Sequence, residues 1–141
     1  MLTTGHGTGA KPACRSEYSV KVAYWIIAVL LAAIYDFGGI KKLVQSRDQL
    51  RPMMGWVDTM PMPRVRLIGL LEVLGAVGLI LPPLTGIAPA IAIGAAIGLV
   101  LIQIGAFRLH LSRHELSDLP LNGLLLVMAV TAAWLGASVW T

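Results

Sequence analysis

RLIGLLEVLGAVGLILPP, residues 66–83, is an apolar run broken by a single carboxylate, Glu72. A helix crosses a hydrocarbon core of about 30 Å with roughly 20 predominantly apolar residues, and this stretch meets that length. Three more segments do the same: about 20–40 (VKVAYWIIAVLLAAIYDFGGI), 86–107 and 121–140, with the quoted one taken as 67–84. The expectation is an all-α, integral membrane four-helix bundle running up and down.

Composition supports that solvent. Of 141 residues, 57% are hydrophobic and 13% charged, against about 25% charged in soluble domains. The mean hydropathy is +0.79, too apolar for a short chain that must expose much of its surface to water. The lone Cys14 excludes an intramolecular disulfide, a CxxC pair and a cysteine zinc site. A net charge of +4 and a pI near 9.6 could suit nucleic acid. The basic residues instead flank apolar spans, where they set topology and meet anionic headgroups, so no nucleic-acid partner is expected.

The connections are unequal. Residues 41–66 form a long loop, Pro82-Pro83-Leu84-Thr85-Gly86 reads as an uncharged turn, and RLHLSRHELSDLP, 108–120, is a polar linker. Residues 1–19, rich in Gly, Thr and Ser, read as a disordered tail ahead of one domain, 20–141. A cleaved leader ending in LLAA at 30–33 fits less well, because the apolar run continues through Tyr35, Phe37 and Ile40. Lys11, Arg15 and Lys21 precede the first span, whereas Lys41, Lys42, Arg47, Arg51, Arg64, Arg66, Arg108 and Arg113 sit on the other side, eight against three. The positive-inside rule places the long loop in the cytoplasm with both termini outside.

Glu72 needs a reason. A charge at mid-span costs about 2.5–3.5 kcal/mol on insertion scales, so such residues face protein or water-filled cavities. Its neighbours at three and four residues are Ile68, Gly69, Gly75 and Ala76, small enough for another helix to approach. Asp36 repeats the pattern with Ala32, Ala33 and Gly39, while Ala90, Gly94 and Gly98 form a small-residue stripe in the third span. In an antiparallel bundle Asp36, Glu72, Gln103, His110 and Asn122 all fall in the half beside the long loop, and the opposite half offers only Thr85, Thr131 and Ser138. The expectation is one polar pocket roofed by the loop.

Each of these residues also has a plainer role. Glu72 could be an interhelical hydrogen bond, and Asp36 a solvated partner of Lys41 and Lys42. His110 and His114 at i and i+4, with Glu115 following, could share a helix face as metal ligands do. Two ligands are not a site, and no metal is expected. Met53, Met54, Met60 and Met62 suit Cu(I) chemically, but a loop packed flexibly on the membrane beside Trp56 explains them more simply. Trp134 and Trp140 read as packing and interfacial anchors.

The run RLIGLLEVLGAVGLILPPLTGIAP at 66–89, with FGGIKKL at 37–43 and AFRLHLSRHE at 106–115, resembles the DoxX-like family of small four-span membrane proteins. The resemblance implies a four-helix bundle of the bacterial inner membrane and carries over Gly39, Lys42, Arg66, Gly69, Glu72, Gly75, Pro82, Gly86 and His110, with Lys42 and Arg66 as a basic rim to the pocket. It also implies membrane oxidoreductase complexes, oxidative-stress functions and a quinone as possible associations.

Two function classes follow. One is an accessory or binding protein whose pocket takes a lipid, a quinone-like molecule or a partner helix. The other is the membrane subunit of a quinone-linked oxidoreductase complex. The chain has no CxxCH, no GxGxxG after a strand and no cysteine cluster, so catalysis would need an oxidoreductase partner. A homo-oligomer is compatible with either class. Two acidic groups in one half of the membrane do not make a transmembrane relay.

Overall fold

The computed structural model describes residues 12–141. Its long helices are α1 (Pro12–Val44), α3 (Met62–Thr85), α4 (Ile91–Ser112) and α5 (Leu119–Trp140), with a one-turn helix α2 (Arg47–Leu50) and a 3-10 turn Gly55–Thr59 in the long loop. All four long helices are apolar enough to span a membrane. The 33 residues of α1 measure about 50 Å at 1.5 Å per residue, more than the hydrocarbon thickness. Its polar first turns therefore reach past the bilayer. The expected tail is corrected for residues 12–19, which are helical from Pro12, a residue whose fixed φ suits a first turn; residues 1–11 lie outside the described residues.

α1 packs on α3 and α5, and α4 packs on the same two helices, which closes the bundle as a ring. The antiparallel register is visible in the pairs that meet. Gly39 faces Gly69, where an added Cβ on Gly39 would stand 2.8 Å from the Gly69 carbonyl oxygen. Higher up, Tyr24 meets Leu79, so the α1 number falls as the α3 number rises. Gly75 lies against Leu99 and Gly78 against Ala95 across the α3–α4 seam, both closer than a Cβ would permit. Small residues do here what they do in membrane bundles generally: with no water to expel between helices, close backbone approach supplies the packing.

The stripe Ala90, Gly94 and Gly98 is corrected. A Cβ on Gly94 or Gly98 would meet nothing within 4 Å, and the buried face of α4 is Ala92, Ala96, Leu99, Gln103 and His110. Those positions step by three, four or seven residues, and the glycines lie off that line.

Pro82 and Pro83 do not break the chain into a turn, as expected, but sit inside the last turn of α3. A proline at 83 removes the N–H that would bond the carbonyl four residues earlier, that of Leu79. The hydroxyl of Tyr24, a fully buried residue, donates to that carbonyl at 2.8 Å. The helix ends one residue later than expected, at Thr85, and Gly86 follows in the left-handed region at φ 70°, where a missing Cβ removes the strain.

The long loop is ordered rather than flexibly packed. Leu50, Val57 and Val65 make a second small core, with Met54, Trp56, Met60 and Met62 against it. The Arg47 guanidinium ties the loop together by donating to the Val57 and Met60 carbonyls. Arg51 holds Asp58 at 2.8 and 3.0 Å and Asp48 at 3.0 Å.

Candidate functional site

The inward line of α1 passes through Tyr24, Ala28, Leu31, Tyr35, Gly39 and Lys42. Because Lys42 lies one turn beyond Gly39, it faces α3 where the two backbones touch. A Cβ on Gly69 would stand 2.7 Å from Lys42 Cβ, so only glycine lets the lysine stem pass. Its ammonium reaches Glu72, donating to Oε1 at 2.7 Å and Oε2 at 2.6 Å. Both side chains are about nine-tenths buried, at 8% exposure each. The Trp56 ring from the loop lies 5.8 Å from the same ammonium.

A second group of polar side chains joins α1, α4 and α5. The Tyr35 hydroxyl donates to Gln103 Oε1 at 3.1 Å. The Gln103 amide in turn donates to the backbone carbonyl of Asn122 at 3.1 Å and to its side-chain oxygen at 2.7 Å. This orientation occupies the acceptor oxygen of Asn122 and leaves its amide hydrogens without partners among the described residues.

The third group is at the α4–α5 linker. α4 ends at Ser112, and His114 adopts φ 58°. The N–H of Glu115 then reaches back to the His110 carbonyl at 3.0 Å, and that of His114 to Leu111 at 3.2 Å, the paired bonds of a Schellman ending. The turn brings Glu115 Oε2 to 2.8 Å and Asp118 Oδ2 to 3.4 Å from His110 Nδ1. Arg113 binds the other oxygen of Glu115 at 2.7 Å. That guanidinium, and then the imidazole, hold the Glu115 carboxyl below the usual range. The donor atoms of His110, Glu115 and Asp118 lie within 4.8 Å of one another, a spacing a cation could bridge. With Arg113 on Glu115 and Nδ1 already hydrogen-bonded, the present chemistry is that of an imidazole oriented by two carboxylates. The expected i, i+4 pairing of His110 with His114 is corrected, because the helix has ended and His114 points into solvent.

These groups surround one cavity of about 690 Å³. Its walls are apolar residues of α1, α4 and α5 with Met53, Met54, Trp56 and Met60 of the loop as roof, and Glu72, Gln103, His110 and Asn122 contribute polar atoms. Of the residues singled out in the sequence, those four are brought together. Asp36 is not: it is half-buried and absent from the lining, because one residue of helix turns it about 100° from Tyr35. The expected basic rim is also corrected. Lys42 is buried in the ion pair rather than at an edge, and Arg66 is exposed and outside the lining. Sequence reasoning missed Tyr35, Trp56 and Asp118. Tyr35 was in principle visible, since it stands seven residues, two turns, before Lys42 on one face; the roof depends on a loop fold that has no periodicity to read.

Four apolar spans in a ring, with a cavity under the long loop, define a multi-pass membrane bundle. The model of the DoxX-like family matches residues 26–132, and the chain belongs to that family. No curated relative and no solved structure matches the chain.

Proposed function

We propose that this protein is a binding protein of the membrane, whose cavity holds a lipid-soluble molecule with a polar end group at the loop side. The observation that carries the reading is the cavity itself. About 690 Å³ lies within the range of small-molecule sites, and mostly apolar walls with a few convergent polar groups are what such sites require. Hydrogen-bonding capacity remains after the internal bonds are counted. Lys42 has three N–H donors, and Glu72 is its one hydrogen-bond acceptor among the described residues. The Asn122 amide hydrogens are free as well. Both supply donors to a carbonyl-type oxygen, and a quinone is one molecule of that class. The role of membrane subunit in a quinone-linked complex is the second reading, supported by those same donors. The excess of Lys and Arg on the loop side supports a cytoplasmic roof.

The test is mass spectrometry of molecules that co-purify in native lipid discs. Ala106→Trp places a large ring in the cavity wall one turn beyond Gln103 without touching the Lys42–Glu72 pair. A defined molecule enriched with wild type and depleted in Ala106→Trp is expected. Identical bulk lipid in both samples would refute the reading.

A further inference from the structure

His110 is a titratable cavity residue whose hydrogen bond ties it to the polar linker. Its side chain is buried to 8% exposure and lines the cavity. Nδ1 is engaged by Glu115 at 2.8 Å and Asp118 at 3.4 Å. Both partners are carboxylates, which accept, so Nδ1 carries a proton, and in the neutral ring Nε2 then presents a lone pair. Nε2 has no hydrogen-bond partner among the described residues, and it is not sealed off by protein, since Trp140 Nε1 is the buried side-chain atom left unpartnered there. One turn beyond Asp118, Asn122 lines the same cavity, and its amide hydrogens have no partner among the described residues.

Resting on the binding role proposed above, we infer that the cavity takes a lipid-soluble weak acid of the phenol class, and that His110 exchanges its hydroxyl proton with water through the linker carboxylates. The ligand oxygen accepts from the Asn122 amide and donates to His110 Nε2. In the exchange the ligand O–H bond breaks and the Nε2–H bond forms, giving an imidazolium. The Nδ1 proton then moves along its 2.8 Å hydrogen bond to Glu115, whose side chain is 24% exposed, and from there to water. The ligand is left as the oxyanion and the imidazole as its other tautomer. Glu115 passes the proton on, and Asp118 is a positioning residue that helps fix the ring. The surrounding charges permit this. Arg113 offsets part of Glu115, and across the cavity Lys42 and Glu72 neutralise each other, leaving Asp118 as the carboxylate near the imidazole without a Lys or Arg partner among the described residues. The same arrangement gives the cavity a reason to lie in the loop half of the membrane, where a proton has only the linker to cross.

The experiment uses the full chain in lipid discs with two probes, an alkyl-substituted 4-nitrophenol and its O-methyl ether, of nearly equal size. The phenol should bind about tenfold tighter than the ether, the worth of a hydrogen bond to an ionisable partner. Its bound form should show the yellow phenolate at a pH where lipid alone holds the colourless phenol. His110→Phe should equalise the two affinities while still binding the ether, which shows that the variant is folded. Glu115→Gln and Asp118→Asn should keep ether affinity and reduce the phenolate signal, a readout that loss of packing alone would not move. Equal affinities in wild type, or a phenol preference that survives His110→Phe, would overturn the inference while leaving the cavity a binding site. Failure of both probes to bind wild type would overturn the inference and count against the binding role together.

Discussion

Removing one member of the Lys42–Glu72 pair should cost far more than removing both. The two oxygens of Glu72 lie 2.7 and 2.6 Å from Lys42 Nζ, with each side chain at 8% exposure. The lone charge left by Glu72→Leu would face apolar walls, and breaking a buried pair in that way costs about 3–5 kcal/mol. At roughly 3 °C per kcal/mol for a chain of this size, the melting temperature should fall by about 9–15 °C. Lys42→Met should do comparable damage by stranding Glu72. The double variant removes both charges and fills the space with side chains of similar volume, so it should recover most of the loss; apolar replacement of buried pairs is often neutral or stabilising. The assay is thermal unfolding of the four proteins in lipid discs, read as a double-mutant cycle. A coupling energy above about 2 kcal/mol is expected for groups in direct contact. Simple addition of the two single effects would refute the reasoning, because it would mean that neither charge depends on the other.

The Tyr24 hydroxyl should prove to be a repair of Pro83. Tyr24→Phe strands the Leu79 carbonyl and should cost about 1–3 kcal/mol, whereas in a Pro83→Ala background the restored N–H should make the same change nearly neutral; equal costs in both backgrounds would exclude the link. Gly39→Ala, which pushes a Cβ to 2.8 Å from the Gly69 carbonyl, should destabilise by about 1–3 kcal/mol. Gly94→Ala, with open space around it, should be neutral or stabilise by up to about 1 kcal/mol in the same unfolding assay. His114→Gly should raise stability by about 1 kcal/mol through relief of the left-handed backbone. The loop should loosen on acidification. Hydrogen bonding to Arg51 lowers the Asp58 carboxyl below its usual value, so the contribution of that pair is complete above the unfolded carboxylate pKa and is lost as pH falls through the lower folded one. Hydrogen exchange of residues 47–60 should show that loss in wild type, and Asp58→Asn should remove the pH dependence.

The spans and their order were legible because the bilayer imposes a length and a polarity that any 20-residue window reveals. Glu72, Gln103, His110 and Asn122 were legible as a polar layer because up-and-down topology fixes which ends of the spans meet. Side-chain direction was less legible. Asp36 and Tyr35 are adjacent in sequence and equally deep, yet only Tyr35 faces the bundle. The choice is made by the Gly39–Gly69 contact, which sets the rotation of α1 against α3. The same contact turns Lys42 inward, so a residue that looked like an interfacial cation became the counter-ion of Glu72. Gly94 and Gly98 misled in the opposite sense: small residues permit close packing, but they do not say on which side a partner helix stands. The loop fold rests on Arg47 reaching two backbone carbonyls, a long-range pattern that leaves no period in the sequence.

The two halves of the bundle handle their polar atoms differently, and that difference bears on the proposed binding role. Away from the loop, Thr85, Thr131 and Ser138 return their hydroxyls to carbonyls of their own helices, and Tyr24 satisfies the carbonyl that Pro83 deprives. Trp140 Nε1 is the buried exception, edge-on to the Tyr24 ring at 5.7 Å. Such groups are closed within the fold and offer a ligand nothing. Beside the loop, polar side chains bond across helices and still keep capacity: a third Lys42 N–H, the Asn122 amide and His110 Nε2. In an apolar medium unused donors and acceptors carry a desolvation cost that packing alone does not return. Three of them around one cavity are the pattern on which the proposed binding role rests, and an occupant whose own polar atoms complete the set is what that proposal requires.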